Sequence, residues 1–215
     1  IMKADGTILA RKFIDFTSDK DRMIHAMNRT RRKQSKYGPK STRGLWAYVK
    51  RLNEDRAKKI SAAIVEFASQ HSVDAIVMEH LDFKGCKKRG SKAQRLSMWN
   101  HGIIREKVEQ KAHLLGIRIA TICAWKTSAL AFDGSGSVTR DDNNHALAKF
   151  TTGKQYNCDL SASYNIGARY FIRELLKSLP ATEESRVKAK VPDAGRRTSC
   201  TLSTLRMLVK ELSAA

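Results

Sequence analysis

Leu45, Val49 and Leu52 recur at i, i+4 and i+7, and Ile60, Ile64, Phe67 and Ala68 repeat that spacing. One long amphipathic helix is therefore expected over Arg43–Gln70. It is separated from the residues before it by Gly38-Pro39, because Pro39 and the residue ahead of it oppose a continuous helix. A second helix is expected from about Gln94 to Leu115, stopped by Gly116. A third is expected over Asp159–Leu179, with Ala168, Ile172, Leu175 and Leu179 on one face and Pro180 behind it. Two compact apolar runs rich in β-branched residues, Val73–Leu81 (VDAIVMEHL) and Ile117–Ala124 (IRIATICA), have the pattern of buried parallel strands. Ile1–Asp5 and Thr7–Asp15 meet at Asp5-Gly6, a hairpin signal. Trp125–Cys158, with Gly134, Ser135, Gly136 and Gly153, has weak periodicity and reads as an inserted loop-rich lobe. Ala181–Arg197 reads as polar linker and Thr201–Leu212 as a short terminal helix. The alternation of helices and strands implies an α/β sheet with crossover helices.

Charge narrows the function. The chain of 215 residues carries 41 Lys and Arg against 21 Asp and Glu, a formal charge of +20. Ten Lys or Arg and no Asp or Glu fall between Arg22 and Asn53, among them Arg29, Arg31, Arg32, Lys33 and Lys36. A second basic run, which includes Lys87, Lys88 and Arg89, follows the first buried strand. Such runs lack i,i+4 compensation and repel themselves, and a phosphate backbone supplies the missing countercharge. No apolar stretch is long enough to span a membrane, and no signal peptide opens the chain. Cys86, Cys123, Cys158 and Cys200 lie far apart, with no Cys-x-x-Cys pair, which argues against a disulfide scaffold. The expectation is a soluble, cytoplasmic, nucleic-acid-associated protein.

Two acidic residues stand out. Glu79 lies near the end of the apolar run Ile76-Val77-Met78, where a carboxylate is costly unless paired or bound to a metal. Active groups in α/β sheets gather at the carboxyl ends of strands. The alternative is that the strand has ended and Glu79 is solvated. Asp159 precedes the small residues Ser161, Ala162 and Ser163, where an acidic side chain serves as a helix cap or as a functional group. Trp46 and Trp99 are assigned to packing, while Trp125 and Tyr156 are open to base stacking.

Four segments together resemble a known family. The strand IVMEHL, the helix start CDLSASYNIGAR, the pair RMIHAMNRTRRKQ and LNEDRAKKISAAIVEFA, and the segment TSALAFDGSG are similar to the RuvC-like nuclease region of transposon-encoded OrfB (TnpB) proteins and type V CRISPR effector nucleases. The resemblance implies an RNase H-like α/β fold, a mixed sheet with flanking helices and a small inserted lobe. It implies metal-dependent cleavage of target DNA directed by a guide RNA. Glu79 and Asp159 match two of that family's three carboxylates, which hold two divalent ions, Mg²⁺ or Mn²⁺. Asn165 and Arg140 are accessory candidates, the latter for the scissile phosphate.

Two departures from the family accompany the likeness. Its first catalytic Asp belongs to a strand that would precede Ile1, and neither Asp5 nor Asp15 is a natural substitute. Without that strand, an exposed sheet edge and self-association are expected. Its zinc ribbon is degenerate here, with Ala131 and Gly134 where the first two cysteines would stand. Cys158 and His145 do not complete four zinc ligands, so no zinc is expected.

The organisation expected is a nuclease-like core over 1–124 with a basic helical segment at 16–71, an inserted lobe at 125–158, the last core helix at 159–180, and a linker with a C-terminal helix at 181–215. Two rivals stand beside the nuclease reading: an RNA-guided DNA binder with a decayed site, and a guide-independent resolvase or transposition nuclease.

Overall fold

The computed structural model describes residues 1–81, 98, 100–196 and 198–214. The basic run with Lys87, Lys88 and Arg89, the start of the helix expected from Gln94, and Trp99 lie outside them. The chain divides into two units. One comprises Lys12–Asp74 and Phe83–Arg118; the other comprises Ile1–Arg11, Ala75–Asp82 and Ile119–Ala215.

The first unit is helical. Helices α1 (Thr17–Tyr37), α2 (Arg43–Gln70) and α3 (His101–Leu114) pack through α2, with Gly38 and the 3₁₀ turn Pro39–Thr42 between α1 and α2. The stripe expected on α2 is present, but its most deeply buried residues are Val49, Asn53, Ala57, Ser61, Val65 and Ala68. Small side chains dominate this stripe, which lets helix backbones approach closely, and Val108 and Ala112 of α3 are fully buried. Asn53 and Asn100 close the polar part of the seam: Asn53 Nδ2 donates to Asn100 Oδ1 at 2.8 Å, and Asn100 Nδ2 donates to the Asn53 carbonyl at 2.6 Å. Trp46 is half-buried and its indole donates to Gln34 Oε1 at 2.8 Å, in keeping with a packing role.

The second unit carries the strands. β1 (Ala75–His80) and β2 (Arg118–Cys123) are hydrogen-bonded neighbours. The Arg118 N–H donates to the Asp74 carbonyl where both strands begin, so they run parallel. β1 is half-buried rather than fully buried: β2 is its named strand partner and the helix α4 (Cys158–Ser178) packs against it. The expected hairpin forms but is short, with one bridge between Met2 and Ile8 and with Leu9 N–H donating to the Ile1 carbonyl. Its turn passes through Gly6 at φ +82°, where a Cβ would meet Leu202 Cδ1 at 3.0 Å. Only glycine suits both demands.

The lobe expected to be loop-rich contains a three-stranded antiparallel sheet: β3 (Thr139–Arg140), β4 (Leu147–Lys149) and β5 (Gln155–Asn157). Ala131, Ala148, Phe150 and Cys158 form its buried centre. Phe132 meets Phe150, Tyr156 and Tyr164 edge-on at 5.6, 5.0 and 5.2 Å between ring centres. The Lys154 ammonium caps the group, 4.7 Å from the Phe132 ring centre. Tyr156 is thus committed to packing, whereas Trp125, the other residue left open to base stacking, is 64% exposed.

Residues read as a linker form structure instead. Ala181–Lys190 is helix α5, entered from Pro180 with Glu183 and Glu184 in its first turn, where the helix dipole favours them. With α6 (Leu202–Ser213) it joins the main core: Val187, Val191, Ala194, Cys200, Leu202, Leu205 and Leu208 bury against Tyr164, Ala168 and Ile172 of α4. Its apolar residues are sparse and sit among charges, so the polar composition of 181–197 hides a helix whose narrow buried face is Val187. Among the described residues, no helix is long and apolar enough to cross a membrane.

Candidate active site

The carboxyl end of β1 presents Glu79, half-buried. Its Oε1 accepts a 2.6 Å hydrogen bond from the Thr127 hydroxyl, and its other oxygen has no hydrogen-bond partner among the described residues. Thr127 lies in the loop that leaves β2 and is 3% exposed. That loop turns at Lys126, which holds φ 59°, a left-handed conformation that costs a non-glycine residue about 1 kcal/mol.

Asp159 occupies the first turn of α4 and is exposed. The cap of that helix is Asn157, whose side chain accepts from the Leu160 N–H at 2.9 Å. Capping is therefore done elsewhere, and no hydrogen bond or ion pair holds the Asp159 carboxylate among the described residues. The helix dipole favours an anion there.

Six residues further along α4, about 9 Å of helix rise, Asn165 is completely buried. Its Nδ2 donates to the carbonyls of Thr127 at 3.0 Å and Leu130 at 2.9 Å, and its Oδ1 accepts from the Leu202 N–H at 3.2 Å. Asn165 thus faces the loop behind the site rather than an open pocket, because its amide is committed to three backbone groups of two segments.

One turn on, Arg169 is buried and carries no carboxylate partner among the described residues. Its guanidinium donates to four carbonyls: Cys123 at 2.9 Å, Trp125 at 2.8 Å, Thr198 at 2.9 Å and Cys200 at 3.2 Å. Burial lowers its pKa below the ordinary arginine value, opposed by the fields of Cys200, Cys123 and Glu79. Burial likewise pushes the Cys200 thiol up to about 11, so it stays protonated and donates to the Asp193 carbonyl at 3.1 Å. Sequence reasoning missed both Thr127 and Arg169. Neither belongs to an acidic or basic pattern, and their roles come from partners 48 and 29–46 residues away.

Arg140, on β3, is exposed and donates to Ser128 Oγ at 2.9 Å, which brings it to the residue after Thr127. In the helical unit, Arg29, Arg31, Arg32, Lys33 and Lys36 are all exposed on α1. Among the described residues, no acidic side chain pairs with Arg29, Arg32, Lys33 or Lys36. The charge imbalance seen in the sequence therefore persists on the folded surface.

Two carboxylates with unengaged oxygens suit a hard divalent cation, which prefers oxygen ligands. Among the described residues no three His, Cys, Asp or Glu side chains cluster as a metal site. In the lobe, Ala131 is buried and a Cβ on Gly134, at φ +82°, would meet Ser203 Cβ at 3.0 Å. Those two positions are filled by packing, Cys158 turns inward with its thiol toward the Ser128 carbonyl, and His145 is exposed. The expected result for zinc is concrete. Elemental analysis should find less than stoichiometric zinc, and a chelator should leave the melting temperature unchanged, because aromatic packing holds the lobe. One zinc per chain would overturn this reading.

A pair of parallel strands, a helix packed across them, and an antiparallel lobe between the second strand and that helix define a mixed α/β protein. No family model matches the chain, and no curated protein does. Among solved structures it superposes on the protein of a cryo-EM Cas12f1–sgRNA–target DNA complex, with TM-score 0.56 and 20% identity. The match covers 74% of this chain and 44% of that one, so this sequence spans less than half the length of the similar protein. The similarity establishes a shared fold.

Proposed function

We propose that the chain is the RuvC-like, RNase H-like nuclease region of an RNA-guided effector that cleaves DNA with a divalent metal. The observation that carries this reading is Glu79 and Asp159 on the packed elements β1 and α4, each with at least one carboxylate oxygen that has no hydrogen-bond partner among the described residues. The fold shared with a protein that is bound to guide RNA and target DNA supports it.

Glu79 and Asp159 would hold Mg²⁺, which when bound activates water and stabilises the leaving oxygen at a phosphodiester. The chain's own residues do the rest. Thr127 fixes one oxygen of Glu79 and leaves the other open. Arg140 offers a cation beside the Thr127–Ser128 loop for a substrate phosphate. The exposed Arg and Lys of α1 bind backbone phosphates without reading sequence, which is left to base pairing.

The test is to purify the protein with the RNA it retains and supply DNA complementary to that RNA. In a chain that also carries the family's first catalytic Asp, Mg²⁺-dependent cleavage of the complementary DNA, stopped by a chelator, is the expected result. Tight guided binding without cleavage would replace this reading with a decayed site. Cleavage with no RNA present would replace it with a guide-independent nuclease.

The phosphate-binding role of α1 has its own measurement. Changing Arg29, Arg31 and Arg32 together to Gln should flatten the log–log dependence of nucleic-acid affinity on salt by about two to three units. An unchanged slope would assign that face to solvent.

A further inference from the structure

We propose that Thr127 is a positioning residue for Glu79: its hydroxyl locks one carboxylate oxygen so that the other is presented to a divalent cation. This rests on the proposed metal site and goes beyond it, by assigning the geometry of Glu79 to a neutral side chain in a different loop.

The hydroxyl has one proton and two acceptors within reach, Glu79 Oε1 at 2.6 Å and the Ala124 carbonyl at 3.0 Å. The shorter contact goes to a carboxylate, and charge-assisted hydrogen bonds are about twice as strong as neutral ones, so the proton belongs to Glu79. Position, as well as donor chemistry, is fixed. The Thr127 carbonyl accepts from the buried amide of Asn165 at 3.0 Å. Two residues earlier the Trp125 carbonyl accepts from Arg169 at 2.8 Å. Between them Lys126 takes the left-handed turn. The hydroxyl is thereby held by α4, the helix that also carries Asp159, so both carboxylates are referenced to one rigid element. Leu202 N–H, at the start of α6, completes the Asn165 amide.

A side chain that merely fills space would be replaced without consequence by an isostere. Thr127→Val keeps shape and removes the donor, whereas Thr127→Ser keeps the donor. The probe is Mn²⁺, titrated into the full chain and followed by the loss of the free-ion electron paramagnetic resonance signal, which does not depend on cleavage. Thr127→Val should weaken Mn²⁺ binding by about tenfold, the size expected for losing a charge-assisted bond. Thr127→Ser should stay within about threefold of the parent, and Glu79→Gln should weaken binding at least as much as Thr127→Val.

Parent-like Mn²⁺ binding by Thr127→Val, with binding lost in Glu79→Gln, would overturn the positioning role while leaving the metal site standing. Parent-like binding by Glu79→Gln would overturn the metal site itself, and the inference with it. Thr127→Ala guards against a variant that does not fold. Should Val and Ala both fail to fold, the hydroxyl belongs to stability and the inference fails.

Discussion

In a chain that also carries the family's first catalytic Asp, Glu79→Gln should reduce guided, Mg²⁺-dependent DNA cleavage by at least about a hundredfold while leaving guided DNA binding within about twofold. The change is nearly isosteric. It removes a negative oxygen ligand from a dication, which amide oxygens replace poorly. It also leaves the Thr127 hydroxyl a neutral acceptor, so the loop keeps its hydrogen bond and the fold is undisturbed. On the proposed reading, binding would rest on the exposed cations of α1 and on base pairing rather than on the carboxylates. Asp159→Asn should behave the same way, because Asn157 caps α4 and the helix does not need the Asp159 charge. The measurement is a single-turnover cleavage time course beside a filter-binding isotherm on one preparation. Cleavage within tenfold of the parent in either variant would remove that carboxylate from the site.

Arg169→Met should be the most damaging single change to stability, at about 3–5 kcal/mol. The methionine fills much of the same volume but donates nothing, so the carbonyls of Cys123, Trp125, Thr198 and Cys200 lose their shared donor at once. Arg169 is 5% exposed, leaving water little access to compensate. For a chain of this size the loss corresponds to a fall in melting temperature of about 6–20 °C. Arg169→Lys should lose less, since an ammonium keeps the charge and reaches some of the carbonyls but lacks the planar fork. Thermal melts of the three proteins decide the matter. A fall under about 2 °C in Arg169→Met would show that the carbonyls find other donors.

These two residues mark how far the sequence reaches. Glu79 and Asp159 are legible because a carboxylate at the end of an apolar run, or ahead of a small-residue helix start, is locally anomalous. The long helix α2 and the strands β1 and β2 are legible because their periodicity is dictated by which face meets a core. The excess of positive charge is fixed by composition, and folding leaves it on the exposed side of α1. Local pattern also identifies the Asp5-Gly6 turn, since a left-handed position needs glycine whatever surrounds it.

What the sequence leaves open are relations between distant segments. Thr127 opens TSALAFDGSG, a segment that carries the family resemblance but gives the residue no role; only the tertiary fold places it 2.6 Å from Glu79. Asn165 reads equally as a cap, a solvated residue or a pocket residue until its amide meets Thr127, Leu130 and Leu202. Arg169 reads as one more cation in a basic chain, yet it is the buried donor joining the end of β2 to the segment before α6. The stretch 181–197 reads as linker because its charged residues outnumber Val187, Val191 and Ala194, the residues that pack into the core. In each case the deciding term is hydrogen bonding or burial against residues far away in the chain. Periodicity reports which face of an element is covered, whereas the partner that satisfies a buried polar group exists only once the elements have packed.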